Sequence, residues 1–231
     1  MNIKIDKEMQ EALSTCVLDS DTIEFGSLNG QDTDLLHIVY PNPQMDSCIH
    51  NRDHFLFYKC EETNTDHLYI TPRGAVNALI TGSSTLIYEI LVEGKFKDTS
   101  LDFLHEMNIK SFHTYKLVKA LLGVAERDLK QSLSHKEPEK KLLWVKNYYT
   151  LALEVLERQG ITIIKAPRLG CQGVRLLDIK YARNKALELP KTVRLDVFNY
   201  LQDNLNSLGQ ASRNNLRKIA KFYFNNWKES L

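Results

Sequence analysis

No stretch of about eighteen consecutive apolar residues occurs in the chain, so the sequence predicts no membrane-spanning helix. The opening residues, Met1 to Glu8, lack the apolar centre of a signal peptide. Cysteine is scarce: Cys16, Cys48, Cys60 and Cys171 stand at unrelated spacings, with no Cys-x-x-Cys pair. Free thiols in a reducing compartment account for them most simply. Neither an internal repeat nor a low-complexity segment is present. These absences predict a soluble, cytoplasmic protein with no membrane partner.

Charge is also lacking overall, at +1 for 231 residues, yet it is unevenly spread. Residues 1–105 carry 7 Lys and Arg against 17 Asp and Glu, a balance of −10. Residues 106–231 carry 23 against 12, a balance of +11. An acidic half beside a basic half suits an enzyme that coordinates metal with one and grips a polyanion with the other. Mutual attraction of the halves is the simpler alternative.

The apolar pattern divides at the same place. Residues 21–26, 33–40, 54–60 and 67–70 are rich in β-branched, aromatic and leucine side chains and predict strands. A short helix is expected over 6–16. After Pro72 the period becomes helical, over 73–81, 84–93 and 99–106. Longer helices are expected over 109–133 and 138–159, with Gly160 as a stop, and then over 174–187, 191–206 and 210–228. The expected fold is therefore α+β: a small mixed sheet with flanking helices in residues 1–105, and a basic, mainly helical domain in 106–231.

The most informative segment runs from Thr22 to Val39. An apolar run reaches Gly26-Ser27, turns at Asn29-Gly30, and re-enters an apolar run through Asp32 and Asp34. Carboxylates two residues apart on a strand point to one face. No Lys or Arg lies between them, and two ionised carboxylates side by side need a cation. Such a pair suits Mg²⁺ (or Mn²⁺), with substrate phosphates completing the coordination shell. Gly26 permits close backbone approach, and Ser27 adds a hydroxyl and an N–H for a phosphate. A β-hairpin with an Asn-Gly turn and solvated aspartates is the plainer reading of the same residues.

A strand ending in Gly-Ser, followed by Asp-x-Asp on the next strand, resembles the signature of the DNA polymerase β-type nucleotidyltransferases. Asp66 to Glu89 resembles a stretch of the nucleotidyltransferases associated with RNA repair, where an acidic residue opens a strand and two helices follow. Lys146 to Leu156 and Leu176 to Lys180 are similar to the helical half of that family. The likeness spans residues 20 to 185, and its first motif is the specific part. Only Leu28, Asn29, Gly30 and Gln31 separate Gly-Ser from Asp32, a shorter loop than the family's. The resemblance implies that Gly26 and Ser27 hold a nucleoside triphosphate and that Asp32 and Asp34 hold metal.

Two-metal transfer commonly uses a third carboxylate, which also accepts the proton of the attacking hydroxyl. Asp66, at the mouth of a later strand, is the expected third, and the resemblance points to the same residue; Glu61 and Glu62 are the fallback. Glu89, in an apolar helix, is expected to be structural. Lys146 matches the family's lysine that offsets charge on the leaving pyrophosphate, with Lys116, Lys119 and Arg127 as competitors. Tyr148 and Tyr149 beside it are suited to stacking on a base or to packing.

Two rival sites arise from composition. Cys48, His50, His54 and Cys60 are zinc-binding types at a spacing that fits no common zinc module. Residues 213–227 interleave basic and aromatic residues, suited to single-stranded nucleic acid or to an apolar packing stripe. The expected function is metal-dependent transfer of a nucleoside monophosphate from an NTP to an acceptor hydroxyl. The acceptor would be an RNA (tRNA) 3′ end or a protein side chain. The alternative is a degenerate fold of the same type that binds nucleic acid or protein without catalysis.

Overall fold

The computed structural model describes residues 3–26, 33–39, 55–163 and 173–208. It is α+β, a mixed sheet followed by a mainly helical half, as the sequence predicts. Two compact units are present. One comprises Met1–Asn77, Ile90–Glu106 and the chain from Phe198 on, and the other comprises Ala78–Glu89 and Met107–Val197.

The first unit holds a five-stranded sheet. Its strands are β1 (Ile3–Lys4), β2 (Val17–Gly26), β3 (Thr33–Val39), β4 (Leu56–Cys60) and β5 (Thr65–Ile70), in the order β1-β4-β5-β3-β2. β2 and β3 pair antiparallel down to Gly26 opposite Thr33. β4 and β5 are antiparallel around a tight turn in which Asn64 takes a left-handed conformation (φ 52°). Between these two pairs, β3 and β5 run parallel.

Side-chain alternation gives this sheet two different faces. One carries Leu36 and Ile38 of β3 beside Leu68 and Ile70 of β5, all buried. The opposite face carries Val39, Leu56 and Tyr69, which pack with Leu13 of helix α1 (Lys7–Ser14). Asp6 caps that helix, its Oδ1 accepting the Met9 N–H at 2.8 Å. Gln10 and Ser14 on α1 reach the Tyr69 hydroxyl at 3.0 and 3.3 Å. β2 is longer than expected, starting at Val17, and its pairing shifts register between Val17 and Thr22.

Three helices follow the sheet in sequence: α2 (Pro72–Thr81), α3 (Thr85–Val92) and the short α4 (Phe103–Glu106). The helix expected over 99–106 is shorter because Asp98 is left-handed (φ 61°), and Thr99 folds into a turn that bonds the Phe96 carbonyl. The buried Asp21 of β2 accepts the Ser100 N–H at 2.7 Å, fixing that turn to the sheet.

In the second unit, α5 (Tyr115–Ser132) and α6 (Pro138–Arg158) pack along each other, and α7 (Leu176–Lys185) packs on both. Leu117, Val118, Leu121, Leu122 and Ala125 of α5 are buried with Val145, Tyr149, Ala152, Val155 and Leu156 of α6. Both sets recur at the helical period. The helix expected over 109–133 is broken. Residues Ile109–Phe112 form a 3-10 turn, His113 and Thr114 leave helical geometry, and Thr114 caps a new start by accepting the Leu117 N–H. A further helix, α8, spans 195–208, and its residues from Phe198 on belong to the first unit.

Candidate active site

Asp34 of β3 and Asp66 of β5 are register partners across the parallel strand pair. Partners in register share a face, and neighbouring strands lie about 4.8 Å apart, so the two carboxylates stand side by side. Both residues are half-buried. Like charges directly opposite each other are destabilising unless a cation intervenes. One cation is in place: Lys59, the antiparallel partner of Asp66 on β4, brings Nζ to 3.0 Å from Asp66 Oδ1. A row thus crosses four strands, Phe25, Asp34, Asp66 and Lys59, on the face that carries Leu36 and Leu68 further in.

The other expected residues are placed as follows. Gly26 is the last residue of β2, opposite Thr33 and adjacent to the Phe25–Asp34 pair. Ser27 and Asp32 lie outside the described residues, as do Cys48, His50, His54 and 213–227. Cys60 is a free thiol, and no group of three or more metal-binding side chains occurs among the described residues. Glu61 and Glu62 are exposed in the β4–β5 turn.

Lys146 is an exposed residue of α6, in the other compact unit. Of its competitors, Arg127 is engaged by the buried Asp128, with Nε 3.1 Å from Oδ1, and Lys119 lies 6.0 Å from the centre of the Tyr115 ring. Tyr148 stacks on Trp144 (centroids 5.8 Å apart), and burial raises its hydroxyl pKa. Tyr149 is buried. Both tyrosines pack.

Comparison of the chain with protein-family models, curated proteins and solved structures finds no match. The site therefore rests on its own geometry.

A second cluster, which the sequence reading did not single out, occupies the opposite face of the same strands. Thr22 Oγ1 lies 3.0 Å from His37 Nδ1, and His37 Nε2 lies 3.0 Å from His67 Nδ1. The two imidazoles are nearly coplanar in orientation, 9° apart, and the Tyr69 ring stacks 4.7 Å from His37. Burial lowers the His37 pKa to about 4, helped by the neighbouring His67. His67 is also lowered, mainly by burial, although Asp66 pulls it the other way. Both rings are therefore neutral near pH 7. Strand alternation was the available signal: His37 is out of phase with Asp34, and His67 with Asp66, so both rings had to share the far face.

Proposed function

We propose that the protein is a metal-dependent nucleotidyltransferase, with Asp34 and Asp66 as divalent-cation ligands and Asp32 as the third. The observation that carries this reading is the pairing of Asp34 with Asp66 in register on parallel strands. Two half-buried carboxylates on one face are a hard-oxygen donor set, the chemistry that Mg²⁺ or Mn²⁺ prefers. Bound there, a divalent ion would neutralise triphosphate oxygens and activate the acceptor hydroxyl.

The chain's own groups would do the rest. Gly26, next to the Phe25–Asp34 pair, would let a phosphate approach the backbone, and Ser27 would donate to it. Asp66, at the strand mouth, would receive the acceptor's proton. The basic helical half would hold an RNA acceptor such as the 3′ end of tRNA.

One observation favours a second reading. The Lys59 ammonium, 3.0 Å from Asp66, stands where a divalent ion would otherwise neutralise that carboxylate. A lysine fixed there is what a degenerate site, retained for binding nucleic acid or protein, would carry.

The deciding experiment incubates the protein with each labelled nucleoside triphosphate, Mg²⁺ or Mn²⁺, and cellular RNA plus protein. Label on RNA or protein that disappears in Asp34→Ala supports the transferase and reveals the acceptor class. Absence of transfer, together with absence of metal-dependent triphosphate binding by calorimetry, supports the degenerate module.

A further inference from the structure

We propose that Thr22, His37 and His67 form a second reactive site, in which Thr22 is a nucleophile toward neutral, activated acyl esters. This site lies on the opposite sheet face from Asp34 and Asp66 and does not depend on the nucleotidyltransferase reading.

The geometry is that of a hydroxyl, a base and a group that orients the base. A hydroxyl becomes a competent nucleophile when a basic nitrogen sits within hydrogen-bond reach and a third group fixes that nitrogen's tautomer. Both links measure 3.0 Å here. In the tautomer that activates Thr22, its Oγ1–H donates to the lone pair of His37 Nδ1, and the His37 proton on Nε2 donates to His67 Nδ1. Three strands hold the chain rigidly: Thr22 and His37 are direct partners across β2 and β3, and His67 is two residues from Tyr69, the β5 partner of His37.

Access is uneven in the way a reactive site requires. Thr22 is exposed, His37 is 9% exposed, and α1 covers the neighbouring Val39, Leu56 and Tyr69 rather than Thr22. The base is thus shielded from water while its nucleophile faces outward.

The surroundings select the electrophile. Alternation puts Thr22, Glu24, Leu35, His37, Tyr58, His67 and Tyr69 on this face, and Tyr58 leans against His67 with centroids 6.1 Å apart. Among the described residues of β2, β3, β4 and β5 on this face there is no Lys or Arg, and Glu24 is exposed two residues from Thr22. From the described residues of these strands a phosphoryl donor would meet one carboxylate and no cation. An uncharged acyl group beside two tyrosine rings has no such penalty.

The step balances without any further reagent. Thr22 Oγ1 attacks the carbonyl carbon and its proton passes to His37 Nδ1. The bond between that carbon and the leaving oxygen breaks, and the leaving oxygen carries off the electron pair and takes the proton from His37. The product is Thr22 acylated at Oγ1; attack by water would release the acid and restore the hydroxyl.

The test uses the full chain with p-nitrophenyl acetate, followed by intact mass and peptide mapping. The expected result is one acetyl group on the peptide containing Thr22, retained in Thr22→Ser and absent in Thr22→Val. His37→Asn puts an amide without basicity where Nδ1 stood, and should slow acylation by about tenfold, less than a general base matched to neutral pH gives because burial lowers the His37 pKa to about 4. His67 is a positioning residue. His67→Asn keeps a polar atom at the Nδ1 position and should retain most of the rate, whereas His67→Phe should lose it. Because Thr22 is exposed, Thr22→Val leaves the fold intact and is the decisive variant. Acetylation spread over lysines and unchanged in Thr22→Val would overturn the proposal, as would an unreactive Thr22 in the wild-type chain.

Discussion

Lys59 Nζ lies 3.0 Å from Asp66 Oδ1 across the antiparallel β4–β5 pair, while Asp34 flanks Asp66 on its other side in the parallel β3–β5 pair. One ammonium therefore serves a place where two carboxylates meet, and the competition between lysine and a divalent ion becomes measurable.

Replacing Lys59 by Met should tighten Mn²⁺ binding relative to the wild-type chain by about threefold, one ion-pair's worth of competition at a partly exposed site. Asp66→Asn in the same background should abolish the gain. Titration calorimetry or the paramagnetic relaxation of water by Mn²⁺ reads both. Equal Mn²⁺ affinity in wild type and Lys59→Met would count against metal binding at this carboxylate pair.

Gly82 takes a left-handed backbone (φ 63°), and a Cβ there would sit 2.5 Å from the Leu117 backbone nitrogen. Neither the conformation nor the backbone of α5 can yield cheaply. Gly82→Ala is expected to destabilise the helical unit by at least ~2 kcal/mol, read as a lowered Tm. Gly160→Ala is the contrast: it shares a positive φ of 75° but nothing lies within 4 Å, so only the conformational term applies. Its cost should be about 1 kcal/mol.

His113 is 1% exposed, with Nδ1 3.3 Å from the Gln159 amide and Nε2 2.8 Å from the Tyr88 hydroxyl. Gln159 donates to Nδ1, so the ring proton sits on Nε2 and Tyr88 accepts it. Burial, with Arg158 and Lys110 nearby, lowers the pKa from 6.5 to about 4. The unfolded chain then binds a proton below pH 6.5 that the folded chain refuses until about pH 4. This contribution is fully present above pH 6.5 and is lost as pH falls through that window, by roughly 3 kcal/mol in all. His37 adds a loss of the same sign. Urea midpoints measured from pH 7 to pH 4 should fall more steeply for wild type than for His113→Gln; parallel curves would show that His113 is not held neutral.

Asp21 is fully buried, and its Oδ1 receives the Ser100 N–H. Its Oδ2 finds no hydrogen-bond partner among the described residues. Asp21→Asn keeps the Oδ1 acceptor for the Ser100 N–H and should melt closer to wild type than the alanine variant does. Asp21→Ala strands the Ser100 N–H and should cost about 1–3 kcal/mol. Thermal melts of the two variants should therefore move apart.

Much of the fold was legible because local rules and tertiary structure agree. The change from strand to helix at Pro72, the Gly160 stop and the apolar stripes of α5 and α6 all follow from periodicity and chain-breaking residues. The helix over 109–133 was misjudged at one point. His113 and Thr114 fit a helical period, and what breaks the helix there is the burial of His113 between Tyr88 and Gln159, a long-range contact. Thr99, the first residue of the helix expected over 99–106, instead lies in a turn whose Ser100 N–H is held by Asp21, 79 residues away.

By itself, then, the sequence determined where strands give way to helices and which segments are the long amphipathic helices, because alternation and the 3.6-residue period are properties of a short stretch of backbone. It placed Asp34 on a strand and Asp66 at the mouth of a later one, and named them as partners in one chemistry. Only the tertiary structure decided that the two strands run parallel in a register that sets those residues side by side, that Lys59 arrives from the far hairpin, and that His37 meets His67 on the other face. Strand order and register are set by which faces must be buried together, and that is a property of the whole sheet rather than of any one segment.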